Sequence, residues 1–356
     1  MTDWLIEPSY KFDLACFCNL FSDREKYRKA HPEGWKVFAD LFREKQEFLE
    51  LAQALNNQGF LVSSALIAIF DSCDYKGMDV DRICEVAEKP ELRENKLRPY
   101  FLNYQLLDAK QWEQYSPLME QLTAMVRHLH GGGFPVYWQE NCLPEIEKWC
   151  DQFRQEVLKY PLLEEVNALL GEKYAREKKT ISLYPCKFAA PFGTSLARQG
   201  FVSDIRWNLE QTIAFAIHEL LHPPFNRDEL NRIGESLVGD DLVKEARELL
   251  PPCYYATPGL FLEENIVEGA HVFLAEKLGL EKDPLEYFIK HDQGSHVISV
   301  LVYDYLKKTR AGKRESLEEI ILDMFAQKII FPGKIKNNYL AVFEKAGKLG
   351  RVPFKL

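Results

Sequence analysis

The sequence predicts an α+β protein that is predominantly helical. Apolar residues recur every three or four positions through most of the 356-residue chain, as they do on one face of an α-helix. Apolar and polar residues alternate convincingly, as in a strand, only between residues 180 and 205. We therefore expect an all-helical N-terminal domain over residues 1–175 and a C-terminal domain with a small sheet over residues 176–356.

The N-terminal half contains a series of amphipathic segments. The longest covers residues 35–57, and Gly59 follows it as a stop signal. Other segments with helical spacing lie at residues 63–70, 80–87, 117–130 and 144–170. Three glycines at residues 131–133, with Pro135 after them, predict a loop between the last two segments.

Two short segments of the C-terminal half have the pattern of strands. Residues 180–184 alternate, and residues 201–205 do so again. The stretch between them, residues 191–200, begins with proline and ends with glycine and predicts a turn. After residue 208 the helical spacing returns.

The composition argues against several classes of protein. The 54 acidic and 45 basic residues give a net charge of −9, whereas a nucleic-acid protein needs a basic face. No stretch approaches the roughly 18 apolar residues of a membrane span, and the first residues, Met-Thr-Asp-Trp, are unlike an export signal. We expect a cytoplasmic protein with no membrane partner. The eight cysteines contain no Cys-x-x-Cys pair, which favours reduced thiols over a disulfide or zinc framework.

The motif His218-Glu219-Leu220-Leu221-His222 indicates metal chemistry. Two histidines four residues apart lie on one helix face, so both imidazoles reach a single metal ion. Glu219 projects beside that face, where it can take a proton from a water held by the metal. Zinc lowers the pKa of such a water to about 7. The apolar neighbours predict a buried helix, in which unsatisfied imidazoles are costly.

A second helix downstream carries further acidic residues. Thr-Pro at residues 257–258 predicts its beginning and Gly279 its end. Glu264, Glu268 and His271 are separated by four and three residues and share one face. That face is either a solvated acidic surface or the partner of the two histidines.

Together the two helices resemble the gluzincin metallopeptidases of the thermolysin-like kind, which pair His-Glu-x-x-His with Glu-x-x-x-Asp/Glu on a later helix. The resemblance implies one zinc ion per chain with a ligand set of His218, His222 and Glu264. It implies that Glu219 is the general base and that Glu268 orients the first histidine. It covers residues 180–303 and implies a zincin-like C-terminal domain.

Two alternatives concern the third ligand. Glu263 competes with Glu264, which we prefer because only Glu264 has an acid four residues later. A metzincin-like arrangement would use Asp228 instead. It is disfavoured because Phe225 stands where that family has a glycine, and the two prolines at residues 223–224 stiffen the path.

The resemblance also implies a group that stabilises the oxyanion. Gluzincins use a histidine or tyrosine from the C-terminal helices, and residues 291–299 resemble the corresponding thermolysin stretch. His296 is the first candidate, with Tyr303 and Tyr255 in reserve. An edge strand would pair with the bound substrate.

Together these expectations predict a zinc-dependent hydrolase that cleaves peptide bonds in a peptide or protein substrate. Two other interpretations stay open. One is a catalytically inactive zincin-fold protein with a binding or regulatory role, which the intact Glu219 disfavours. The other is a metal-dependent amidase on a non-peptide substrate, which would use the same residues.

Overall fold

The computed structural model describes residues 3–22, 25–57, 61–73, 79–104, 106–176, 179–189, 193–197, 199–222, 225–249, 257–309 and 315–354. Helices dominate these residues, and one small sheet accompanies them. The predicted fold class, α+β and predominantly helical, is therefore confirmed.

The sheet has four strands, which are β1 (Asp3–Ile6), β2 (Thr180–Cys186), β3 (Thr194–Leu196) and β4 (Gly200–Asp204). Their order is β1-β2-β4-β3, with β2 parallel to β1 and β4, and β3 antiparallel to β4. Trp4 lies opposite Ile181, and Tyr184 lies opposite Val202. The strands predicted at residues 180–184 and 201–205 are confirmed as β2 and β4. The sequence pattern missed β1 and β3, because three or four residues are too few to establish an alternation.

The chain forms two compact units, each made of two segments. The sheet unit contains Asp3–Val157 and Thr180–Leu209, and the helical unit contains Leu158–Lys179 and Glu210–Leu356. This division differs from the single boundary that we expected at residue 175. The reason is strand pairing: β2 lies beside β1 from the start of the chain, so the sheet belongs with the N-terminal helices.

The helices of the sheet unit are α1 (Tyr10–Phe17), α2 (Glu25–Ala30), α3 (Pro32–Glu44), α4 (Gln46–Asn57), α5 (Val62–Ser72), α6 (Val80–Glu88), α7 (Pro90–Leu92), α8 (Arg98–Asn103), α9 (Ala109–Tyr115), α10 (Met119–Gly131), α11 (Phe134–Asn141) and α12 (Leu143–Val157). The segment predicted as one helix at residues 35–57 is broken at Lys45. Its apolar spacing has a gap between Phe42 and Phe48, so no apolar side chain holds that turn against the core. Gly133 has a φ of 96° between α10 and α11, at the predicted glycine loop.

The helices of the helical unit are α13 (Leu162–Leu170), α14 (Leu209–Leu220), α15 (Arg227–Leu237), α16 (Asp241–Glu248), α17 (Pro258–Lys277), α18 (Pro284–Lys290), α19 (Val297–Thr309), α20 (Leu317–Ala326) and α21 (Ile335–Lys345). The predicted N-cap of α17 is confirmed, because the Thr257 side chain accepts a hydrogen bond from Leu260 N.

Helix α17 lies between α15 and α19 at very short range. Two glycines permit this approach. A Cβ atom at Gly234 would lie 2.4 Å from the Pro258 carbonyl oxygen, and one at Gly269 would lie 2.5 Å from the Ser299 carbonyl oxygen. Most residues of α17 are consequently buried, including several polar ones. Two acidic residues of this helix, Glu263 and Glu268, are therefore held away from water and need internal partners.

Within the described residues, no helix combines the length and the apolar character needed to cross a membrane.

Candidate metal centre

The first histidine of the motif lies on α14, and the second lies just beyond its end. We expected the helix to include His222, but α14 ends at Leu220. Leu221 N still donates to Ile217 O at 3.2 Å, and His222 N donates to Glu219 O at 3.4 Å. The backbone thus tightens into a final turn with i→i−3 bonding. The prolines at residues 223–224 lie outside the described residues.

The two imidazoles point their Nε2 atoms at each other, 3.2 Å apart. His218 Nδ1 lies 3.0 Å from Glu268 Oε2, and His222 Nδ1 lies 2.9 Å from Glu263 Oε1. An ionised carboxylate only accepts hydrogen bonds, so each Nδ1 donates and, in the neutral ring, each Nε2 keeps its lone pair. Glu264 Oε2 completes the group, 3.4 Å from His218 Nε2 and 3.8 Å from His222 Nε2.

With both rings neutral, three electron-pair donors converge on one point, where either a metal ion or a proton on one imidazole satisfies them. Ligand atoms around a tetrahedral zinc ion are about 3.3 Å apart, given metal–nitrogen bonds of roughly 2.0–2.1 Å. The separations in this group lie at and slightly above that spacing. His218, His222 and Glu264 could hold a metal ion, as could a second group formed by His218, Glu268 and His271.

The second group is centred on the carboxylate of Glu268, which is 2% exposed. Its Oε2 accepts hydrogen bonds from His218 Nδ1 and from His271 Nδ1 at 3.2 Å, and its Oε1 accepts one from the Tyr287 hydroxyl at 2.6 Å. Burial raises the pKa of Glu268, but His271 and His218 lower it more, so the pKa lies well below its usual range. A carboxylate with both oxygens engaged in this way orients its neighbours better than it binds an ion.

The histidine shared by both groups is held in its charged form. Burial lowers the pKa of His218, but Glu264 and Glu268 raise it more, and the result lies well above the usual range. Burial likewise raises the pKa of Glu264, and His218 and His222 reverse that shift, so its pKa is lowered. In the metal-free protein a proton on His218 therefore supplies the positive charge that the converging groups require.

We expect metal binding at this centre to weaken as the pH falls. An imidazolium that persists above the ordinary histidine pKa of about 6.5 must lose its proton before it binds an ion. The apparent affinity for the metal ion should therefore rise with pH, up to the pH at which His218 is already neutral in the absence of metal. Calorimetric titration with Zn²⁺ from about pH 6 to about pH 8, in buffers of different ionisation enthalpy, measures this rise and the proton release. A constant affinity without proton release would contradict the expectation.

Glu219, the predicted general base, lies on α14 between the two histidines and is half-buried. Its negative charge is among those that raise the pKa of His218, so it lies near that imidazole. Its role as a base stays a prediction.

The structure brings one of the oxyanion candidates to the centre. His296 is buried just before α19 and lies close enough to Glu264 to contribute to the lowering of the pKa of that carboxyl group. Asn265 of α17 fixes the start of α19, because its Oδ1 accepts hydrogen bonds from Ile298 N at 3.1 Å and from Ser299 N at 3.3 Å. The same helix that carries Glu264 thus positions His296.

Tyr303 is not brought to the centre. Its hydroxyl donates to Glu276 Oε2 at 2.9 Å and accepts from Lys307 Nζ at 3.0 Å. Glu276 follows Glu264 by twelve residues, which is roughly 18 Å along a helix. The described contacts of Tyr303 are therefore with the far end of α17, and its role in stabilising the oxyanion stays a prediction. Tyr255 lies outside the described residues.

Sequence reasoning missed or misread several neighbours of the centre. Glu263 is buried and holds His222, whereas we had considered it only as a rival ligand. Tyr287 contacts Glu268 from α18 and stacks on His291 with ring centroids 4.8 Å apart, and no sequence pattern indicated either. Asp228 is exposed in the first turn of α15 and belongs to neither metal-binding group of the described residues, which disfavours the metzincin-like alternative.

The residues of this centre unite the His-Glu-x-x-His motif with Glu264 and Glu268 of α17 in one compact unit. Comparison of the chain with known protein families, with curated proteins and with solved structures found no match.

Proposed function

We propose that this protein is a zinc-dependent hydrolase that cleaves peptide bonds. The observation that supports the proposal most strongly is the convergence of His218 Nε2, His222 Nε2 and Glu264 Oε2. Buried carboxylates at both Nδ1 atoms strengthen it, because they fix the tautomer that a metal ligand needs.

Zinc is the metal that this donor set suits best. Two imidazole nitrogens and one carboxylate oxygen form the three-ligand set of many catalytic zinc sites, and three ligands leave one position open. A bound zinc ion supplies Lewis-acid chemistry, since it polarises a carbonyl group and lowers the pKa of water to about 7. The half-buried side chains of His218 and His222, 20% and 21% exposed, leave the centre accessible to a small reactant.

The remaining chemistry comes from the side chains of this chain. Glu219 takes a proton from the attacking water and returns it to the leaving amine. His296 donates to the oxygen that gains negative charge. Glu268 and Glu263 keep the two imidazoles in their orientation and increase their basicity. The substrate is a peptide or a protein.

Metal analysis joined to a hydrolysis assay tests the proposal. Purified protein should carry about one zinc ion per chain, as the three-ligand set implies. It should cleave members of a mixed peptide library, lose that activity on chelation, and regain it when Zn²⁺ is restored. Protein that stays metal-free after exposure to Zn²⁺ would contradict the metal centre. Zinc-loaded protein that hydrolyses no peptide would contradict the peptidase function.

A further inference from the structure

The second histidine of the motif lacks the support of a regular helix. Beyond the end of α14, the carbonyl groups of residues 217–219 accept hydrogen bonds from Leu221 N and His222 N, at distances up to 3.4 Å. The carbonyls of Leu220 and His222 lie at and beyond the last residue of α14, where regular intrahelical donors stop. Buried carbonyl groups need a donor from elsewhere in the structure.

Arg176 provides that donor. Its guanidinium Nε and Nη2 donate to Leu220 O at 2.8 Å and 2.6 Å, and Nη2 also donates to His222 O. A planar guanidinium presents several N–H groups in a fixed fork, so one side chain holds two carbonyls at a set separation. Its positive charge also faces the negative end of the α14 dipole.

Asn167 of α13 holds Arg176 in turn. Its side-chain oxygen accepts from Arg176 N at 2.7 Å, and its amide nitrogen donates to Arg176 O at 3.2 Å. Both backbone polar groups of Arg176 are thereby fixed. A continuous set of hydrogen bonds connects α13, through Arg176, to the backbone of His222.

We propose that Arg176 is a positioning residue of the metal centre, which sets the place of His222 through its carbonyl oxygen. This inference rests on the metal site of the proposed function. Glu263 orients the His222 ring at Nδ1, while Arg176 fixes the backbone from which that ring projects. Loss of the guanidinium lets the final turn relax and moves His222 Nε2 away from His218 Nε2.

Cobalt titration of four variants tests the inference, because the visible spectrum of Co²⁺ reports ligand geometry directly. Arg176→Gln should lower Co²⁺ affinity by about 10- to 100-fold, as for other groups that orient ligands, and should shift the visible bands. Arg176→Lys keeps the positive charge but has a single ammonium group in place of the planar fork. Its Co²⁺ affinity should therefore lie between those of Arg176→Gln and the wild type. Asn167→Ala should also weaken Co²⁺ binding, but less than Arg176→Gln does.

Arg93→Gln is the matched control. Arg93 is buried in the sheet unit and donates to the Ala87 carbonyl oxygen at 3.1 Å, so its loss also destabilises the protein. The Arg93→Gln variant, once circular dichroism shows that it is folded, should have the Co²⁺ affinity and the visible spectrum of the wild type. Should Arg176→Gln fail to fold, Asn167→Ala provides the same comparison.

Two results would overturn the inference. One is wild-type affinity and spectrum in folded Arg176→Gln or, if that variant does not fold, in Asn167→Ala. The other is an equal loss in Arg93→Gln. If the wild-type protein binds metal, either result contradicts only the positioning role of Arg176 and leaves the proposed metal site standing. Failure of the wild-type protein to bind Co²⁺ or Zn²⁺ contradicts the proposed function itself.

Discussion

Glu219→Gln should abolish most hydrolysis while the protein keeps its metal. The amide has the size and shape of the carboxylate but cannot take a proton, and the loss of a general base typically costs about 10²- to 10⁴-fold in rate. The ligand atoms, His218 Nε2, His222 Nε2 and Glu264 Oε2, are untouched by this change. Metal content and kcat on a cleaved peptide from the library measure both parts of the prediction.

Glu210→Gln is the control for this variant. Glu210 is exposed in the first turn of the same helix, so the replacement removes an equal charge far from the centre. It should leave kcat and metal content as in the wild type. If Glu219→Gln retained full activity with its metal bound, another group would be the base and the proposed mechanism would fail.

Glu264→Gln and Glu268→Gln should differ in their effect on metal affinity. Glu264 approaches both Nε2 atoms, so its loss removes a ligand and should almost eliminate binding. Glu268 contacts the opposite nitrogen of His218, and loss of such an orienting partner costs about 10- to 100-fold in affinity. Competition of each variant with a zinc-sensitive dye measures the two affinities on one scale.

This pair also discriminates between the two metal-binding groups. If the ion occupied His218, Glu268 and His271, then Glu268→Gln and His271→Asn would lose the metal and Glu264→Gln would keep it. Glu276→Gln is the control, because Glu276 lies on the same helix but contacts Tyr303 and Lys307 instead of the histidines. Its replacement should leave the affinity unchanged.

Much of the local structure could be predicted because its causes are local. Helix spacing, the Thr-Pro start of α17 and the glycine loop after α10 depend on residues within a few positions of one another. The same helical spacing predicted that His218 and His222 share one face of the motif helix and that Glu264 and Glu268 share one face of α17. The structure brings His218, His222 and Glu264 together.

The features that sequence reasoning did not predict share a physical origin in contacts between residues far apart in the sequence. Nothing near residues 3–6 indicates that β1 will pair with a strand at residues 180–186, so the two compact units differ from the division expected at residue 175. The hydroxyl of Tyr303 bonds to Glu276 because of how α17 packs on α19, which sequence spacing does not reveal.

The fold class, the helix that carries the motif and the residue types able to bind a metal ion all follow from the amino-acid sequence. How these residues are used follows from the packing of the helices: Glu263 orients His222, Glu268 contacts two histidines and a tyrosine, and Arg176 holds the last turn of the motif. Orientation of a ligand depends on hydrogen-bond partners brought from other helices, and their identity is set by packing instead of by periodicity.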